Sequence, residues 1–370
     1  MQVKEKRIKF TPTAKSQFFP TLKVRIESYF TDNKISRHAN STMIVKTIVL
    51  LGIYILPFCA ILLFTPPFWA AILLWFLMGM GISGIGMSIM HDANHGAYST
   101  KAWVNKWLGY TIYLAGAGVT NWKLQHNVLH HTYTNIASLD EDIRDRGVVK
   151  LSPHSNVQHL HRFQWLYAFL FYGILTLYWV TAKDFIQYHE FRKSGVNKQT
   201  KRENNELLAG LIIMKVIYFS VLFVLPVAVI GIPFWQVLAG FCVMHITSGL
   251  VLTIVFQLAH SVEGTTYPVA NGQGNLDKDW AIHQLETTVN FAPKNRLLTW
   301  FLGGLNFQIE HHLFPKICHV HYPQIAVIVK ETAEEFGIPY MENKSFSSAL
   351  KSHISSLRRF GMPSINDAIG

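Results

Sequence analysis

The chain is poor in charge. Only 15% of its 370 residues are Asp, Glu, Lys or Arg, where about a quarter is usual for a soluble domain. That deficit argues against an ordinary water-soluble enzyme and places part of the chain in lipid. Cysteine is scarce as well. Cys59, Cys242 and Cys318 are too few and too scattered for a disulfide framework. Two of them fall inside apolar runs, so buried, unreactive thiols are expected. Acidic residues are outnumbered, 22 against 33 Lys and Arg, for a formal net charge of +11. A basic excess fits nucleic acid or an anionic membrane face. No zinc-finger spacing or RNA-binding signature accompanies it, which leaves the membrane. Residues 1–43 are basic and mixed, with Lys4, Lys6, Arg7, Lys9, Lys15, Lys23, Arg25, Lys34 and Arg37. No cleavable signal peptide is expected there.

What the chain does contain is long apolar runs. Residues 47–64 and 68–90 are separated only by Thr65-Pro66-Pro67, and 207–230 and 234–256 only by Gly231-Ile232-Pro233. Each run is long enough to cross a bilayer core of about 30 Å at 1.5 Å per residue. The spacing predicts two transmembrane hairpins, four crossings in all. Lys215, the one charge within them, is expected to snorkel to the interface. The two breaks carry no Lys or Arg, whereas the N-terminal stretch and residues 183–202 are rich in both. The positive-inside rule therefore puts both termini and the long connections in the cytoplasm. Residues 163–180 are apolar and aromatic. If they crossed, the basic segment that follows would change sides, so a helix lying at the interface or packed on the others is expected. Residues 103–118 are read similarly. Gly79-Met80-Gly81-Ile82-Ser83-Gly84 matches the GxGxxG pattern, but no strand precedes it. Its glycines are expected to permit close helix packing instead. No repeat or linker divides the chain, which reads as one domain over 1–370. The fold class is all-α and membrane-integral, with a cytoplasmic helical cap formed by 91–206 and 257–370.

Histidine is abundant, at 18 residues, and clustered. His91-Asp92-Ala93-Asn94-His95 follows the second apolar run. His126-Asn127-Val128-Leu129-His130-His131 comes next, and Gln308-Ile309-Glu310-His311-His312 lies near the C-terminus. On an α-helix an i, i+4 pair shares one face and can converge on a metal. By the same geometry His131 points about 100° away from the His126–His130 face, so adjacent histidines serve two metals or two sides of one site. One HxxxH is common by chance, but three clusters on one side of a membrane are not. Neutral imidazoles suit zinc, copper, iron or nickel. A closed structural zinc takes four ligands. The excess of histidines here argues for two ions, and two redox metals beside a bilayer suggest oxygen chemistry on a lipid chain.

HDANH, HNVLHH and QIEHH resemble the three histidine boxes of the membrane fatty acid desaturases. Gln opening the third box is similar to the front-end subgroup (Δ5, Δ6 and sphingolipid Δ8 types). The blocks Gln284–Phe291 and Trp300–Phe307, the latter running into QIEHHLFP, look like that family's C-terminal region. The resemblance covers roughly residues 40–340. It implies two irons held by His91, His95, His126, His130, His131, His260, His311 and His312, with Gln308 as a ninth group that ligates weakly, holds a water or orients a neighbour. Asp92, Asp140 and Asp142 are candidates to hydrogen-bond ligand imidazoles. Trp300, Gln284 and Thr288 are candidates to line an acyl tunnel. His245, inside an apolar run, is expected to be a core histidine bonded to a neighbour. His154, His159, His161, His319 and His321 are given no role. No HPGG of a fused cytochrome b5 domain occurs, so a separate donor, a ferredoxin or a free cytochrome b5, is expected to supply electrons.

The reading that follows is an O2-dependent fatty acyl desaturase, acting on an acyl-CoA or acyl-lipid. Two alternatives stand beside it. One is a hydroxylase of the same superfamily. The other is a histidine-rich metal transporter, which would need ionisable groups within its crossings. No Asp or Glu lies in the four runs.

Overall fold

A backbone clothed on all sides by apolar residues must satisfy its own hydrogen bonds, and within one segment only a helix does so. The computed structural model describes residues 8–12, 16–137, 139–144 and 147–362. Lys4, Lys6, Arg7 and Lys15 of the basic N-terminal stretch lie outside them. Each apolar run is helical. Among the described residues five helices are long and apolar enough to cross a membrane: Ser41–Phe64, Phe68–His95, His159–Ser194, Lys201–Val229 and Phe234–His260. Four contain the runs expected to cross. The other, of 36 residues, contains the aromatic segment 163–180, so length and composition alone do not restrict the count to four. Residues 103–118 form two short helices, Ala102–Gly109 and Tyr110–Ala115, with Trp103 and Trp107 exposed.

The chain forms two compact units from interleaved stretches. One comprises Ala39–Leu124 and Leu170–Ile254; the other comprises Met1–His38, Gln125–Phe169 and Val255–Gly370. The first, the hairpin unit, holds most of the apolar helices. Asn40 starts it by accepting the Met43 N–H through its side chain at 3.1 Å, satisfying a donor that the first helical turn leaves open. Glycines bring its helices together. A Cβ on Gly79 would lie 2.5 Å from the Met244 carbonyl oxygen, and one on Gly81 3.0 Å from the Tyr54 nitrogen. The GxGxxG match is thus a packing seam. Cys59 is exposed on the outer face of its helix and not buried as expected, because that face carries apolar residues such as Ile48, Leu56 and Leu63 with no protein against them.

Lys215 does not snorkel. It is buried, and its ammonium donates to Gly116 O (2.6 Å), Trp179 O (2.9 Å) and Asp184 Oδ2 (2.8 Å). Asp184 also accepts from Gly118 N at 3.0 Å and Trp179 Nε1 at 3.3 Å. A carboxylate and two carbonyls lie within reach inside the unit, and a buried pair whose polar atoms are all engaged offsets its desolvation. His245 is a satisfied core histidine, as expected. Its Nε2 lies 2.9 Å from the Tyr218 hydroxyl and its Nδ1 3.2 Å from Thr176 Oγ1.

The second, the histidine unit, is built differently. Phe18, Leu22, Ile26 and Phe30 of helix Phe18–Asp32 join Tyr322, Ile325 and Val329 of helix Tyr322–Glu335 in one core. Ile309 and Leu313 of the short third-box helix Gln308–Leu313 belong to the same core. Two-residue parallel strand pairs tie its loops, Lys9–Phe10 with Asn275–Leu276 and Asn290–Phe291 with Glu342–Asn343. Arg25 bridges the two core helices to Glu335 at 2.6 Å. Both partners are exposed, so the pair contributes at most about 1 kcal/mol.

Candidate metal centre

The second box departs from α geometry. Val119–Lys123 is α-helical, but Leu124–His130 is a π-helix, whose hydrogen bonds run from i to i+5. A five-residue repeat brings His131 back over His126, and their Nε2 atoms lie 3.2 Å apart. This corrects the expectation that His131 points away. Two nitrogens at that distance suit neighbouring ligands of one ion at about 2.1 Å each. His126 and His130 stack, with ring centroids 5.3 Å apart.

Each further ring is anchored through Nδ1. His130 Nδ1 lies 3.1 Å from Asp140 Oδ1 and 3.4 Å from Asp142 Oδ2. His260 Nδ1 donates to Thr287 O at 3.2 Å, His311 Nδ1 lies 3.2 Å from the Tyr322 hydroxyl, and His312 Nδ1 donates to Gln284 Oε1 at 2.8 Å. A ring that donates from Nδ1 carries its lone pair on Nε2, the form in which an imidazole binds metal. The ligand atoms of His130, His260 and His312 all lie within 4.8 Å of one another. His260 Nε2 is buried and makes no hydrogen bond. A buried polar atom left so costs free energy, and a metal there removes the cost. The donor set therefore fits a metal ion. His311, next in sequence to His312, turns the other way and stacks on His126, 5.6 Å between centroids.

Electrostatics favour positive charge at this end. Burial works against a charged His130, but Asp140 and Asp142 outweigh it and raise the ring to about 9. The same carboxylates favour a cation at Nε2 when a metal takes the proton's place. Asp142 is itself held by Gln125 Nε2 at 2.7 Å.

The first box lies in the hairpin unit on the helix end Met90–His95. Its rings are 4.8 Å apart and both meet Trp122 edge-on. Asp92 is buried, with its carboxylate 3.9 Å from His91 Nδ1, too long for a hydrogen bond. Gln308 is buried, and its Nε2 makes no hydrogen bond. Thr288 is buried with an unbonded hydroxyl, and Trp300 is half-buried on helix Arg296–Phe301.

Several positioning residues have no sequence signature. Asn135 sits at φ +59°, a left-handed conformation that Asn tolerates better than most residues. There its N–H donates to Asp140 at 2.9 Å and its side chain to His260 O at 3.0 Å. Glu310, inside the third box, accepts from Asn290 Nδ2 at 2.7 Å and the Tyr340 hydroxyl at 3.0 Å. Burial still pushes its carboxyl up to about 7. Asn290 Oδ1 accepts the Ile309 N–H at 2.9 Å, so this network fixes the short helix that aims His311 and His312.

Apolar helices of spanning length, in one chain with clustered buried imidazoles whose Nδ1 partners orient them as metal ligands, are those of a multi-pass membrane protein with a candidate histidine metal site. The fatty acid desaturase family model matches residues 67–344. The chain is 35% identical over 345 residues to an sn-1 linoleoyl-lipid 6-desaturase of Arthrospira platensis, covering 93% of each. It is 34% identical over 365 residues to the enzyme of the same name from Synechocystis sp., covering 97% of this chain and 99% of the relative. An acyl-lipid (8-3)-desaturase of Physcomitrium patens is 34% identical over 97% of this chain and 75% of its own length. The chain belongs to the fatty acid desaturase family.

Proposed function

We propose that the protein is an O2-dependent di-iron desaturase that places a cis double bond in a lipid-bound acyl chain, between an existing double bond and the carboxyl end. The observation that carries this reading is the set of Nδ1-anchored rings with buried Nε2 atoms, in a chain of this family. Relatives named as acyl-lipid desaturases favour a lipid carrier over CoA. Two irons, when bound, supply the activation of O2 that removes a hydrogen from each of two adjacent methylenes. O2 takes four electrons, two from the acyl chain and two from an external donor, and leaves as two waters. A separate ferredoxin or cytochrome b5 is the proposed donor.

The chain's own contribution is placement. The proposed ligands are His91, His95, His126, His130, His131, His260, His311 and His312, with Gln308 as a weaker ninth group. Asp140 and Asp142 hold His130, and Thr287, Tyr322 and Gln284 hold His260, His311 and His312. Asp92 is proposed to support His91, and Thr288 and Trp300 to line the tunnel that fixes which carbons face the metals, since geometry dominates such steps. For both the first box and His260 to serve one centre, an even number of crossings must separate them. Lys201–Val229 and Phe234–His260 supply two. Helix His159–Ser194 is therefore proposed to lie along the interface, with both termini and the site on the cytoplasmic face, and the two units to act as one desaturase domain.

The test is expression in a host given acyl chains with defined double bonds, followed by isolation of intact lipids and mapping of the products. A new cis double bond on the carboxyl side, found on lipid-bound chains, is expected. A hydroxylated chain without an alkene, or a methyl-side double bond, contradicts the reading.

A further inference from the structure

Gln284, a tunnel candidate by sequence, is completely buried and has both ends of its amide engaged. Its Nε2 donates to the His131 carbonyl at 3.2 Å, and its Oε1 faces His312 Nδ1 at 2.8 Å, with Thr134 Oγ1 2.9 Å from the same oxygen. The carbonyl on one side fixes which end of the amide is which. Oε1 can only accept, so His312 must carry its proton on Nδ1 and its lone pair on Nε2. One side chain thus ties the backbone of the second box to the ring of the third.

We propose that Gln284 is the positioning residue that sets the tautomer and aim of His312, and through it the affinity of the metal shared with His130 and His260. The proposal rests on the di-iron reading above. The three rings of this triad have acceptors of three kinds. His130 has a carboxylate, His260 a backbone carbonyl and His312 a neutral amide. An anionic acceptor makes an imidazole a stronger donor to metal than a neutral one does. Gln284 would therefore keep His312 a more moderate ligand than His130.

Trp280 provides the control. Its Nε1 also donates to His131 O, at 3.1 Å. Trp280→Phe thus removes a bond to the second-box backbone and leaves the His312 acceptor in place. The experiment compares wild type, Gln284→Leu, Gln284→Glu and Trp280→Phe, purified in detergent and loaded with ferrous ⁵⁷Fe. Iron per chain, resistance to a chelator and Mössbauer spectra are read. Wild type tests the reading beneath: if it does not bind two irons, that reading fails whatever Gln284 does. Given two, Gln284→Leu is expected to release one iron at roughly 10–100-fold lower chelator concentration, with one doublet altered, while Trp280→Phe behaves as wild type. Gln284→Glu keeps an acceptor and is expected to hold both irons with one doublet shifted. Wild-type retention by the leucine variant, equal loss from Trp280→Phe, or loss of iron from Gln284→Glu overturns the assignment. If the leucine variant is not recovered folded, the glutamate variant decides, and two unshifted doublets count against the proposal.

Discussion

Two buried histidines share the helix Phe234–His260 and meet opposite ends. His245 gives one ring nitrogen to Tyr218 and the other to Thr176. His260 gives Nδ1 to a carbonyl and leaves Nε2 buried with no hydrogen bond. Burial does not distinguish them, and neither does the helix. What separates the two is the second nitrogen. Lys215 and Asp184 of the hairpin unit likewise close on each other, whereas Asp140, Thr287 and Gln284 of the histidine unit each hold a ring by Nδ1, and the ligand atoms of His130, His260 and His312 lie within 4.8 Å of one another.

The largest effect that sharpens this contrast is at the two histidines themselves. His260→Ala is expected to abolish alkene formation and cost about one iron per chain. His245→Phe is expected to leave iron and product per folded chain unchanged and to cost about 1–3 kcal/mol through the Tyr218 hydroxyl it strands. Product analysis and thermal unfolding separate the outcomes. Asp140→Asn comes next. Metal affinity is expected to drop roughly 10–100-fold as His130 loses the nearer of its two carboxylates, read by chelator titration.

In the hairpin unit, Lys215→Met strands Asp184 and is expected to destabilise the fold by about 3–5 kcal/mol, while Lys215→Met with Asp184→Asn recovers most of the loss. Iron per folded chain should not change in either. If the single variant folds normally but loses iron, the purely structural role of the Lys215–Asp184 pair is wrong.

The smallest effect is on pH. His353, buried and bonded through Nδ1 to Ser261 O at 2.7 Å, is held down to about 4 by burial, with the Ser261 bond opposing. As pH falls below about 6.5, the unfolded chain takes up a proton that the folded chain refuses. This contribution to stability is therefore complete above 6.5 and lost toward 4, about 2 kcal/mol of it between pH 6.5 and 5. Unfolding measured across that range should show the slope in wild type and a shallower one in His353→Asn.

Much of this was legible in the chain. Four long apolar helices and the breaks between them fall where apolar runs and Pro-bearing gaps put them. His130 and His312 lie together with the His260 named beside them, and His245 is the core histidine expected. What was not legible depends on geometry that residue types do not encode. The π-turn of the second box changes which histidines align, yet LQHNVLH reads as well as an α-helix. Lys215 turns inward because Asp184, 31 residues earlier in sequence, folds next to it. Gln284 reads as a tunnel candidate and Asn135 as an ordinary turn residue until their partners from other segments arrive. The helix His159–Ser194 carries the apolar length of a crossing, so composition alone cannot assign its place.

The most direct measurement is the metal content of the protein purified under conditions that preserve iron, compared with His260→Ala and His245→Phe prepared alongside. The account predicts about two irons per wild-type chain, the same in His245→Phe, and about one fewer in His260→Ala. A single ion in wild type, a metal other than iron in the active preparation, or equal iron in His260→Ala would contradict it.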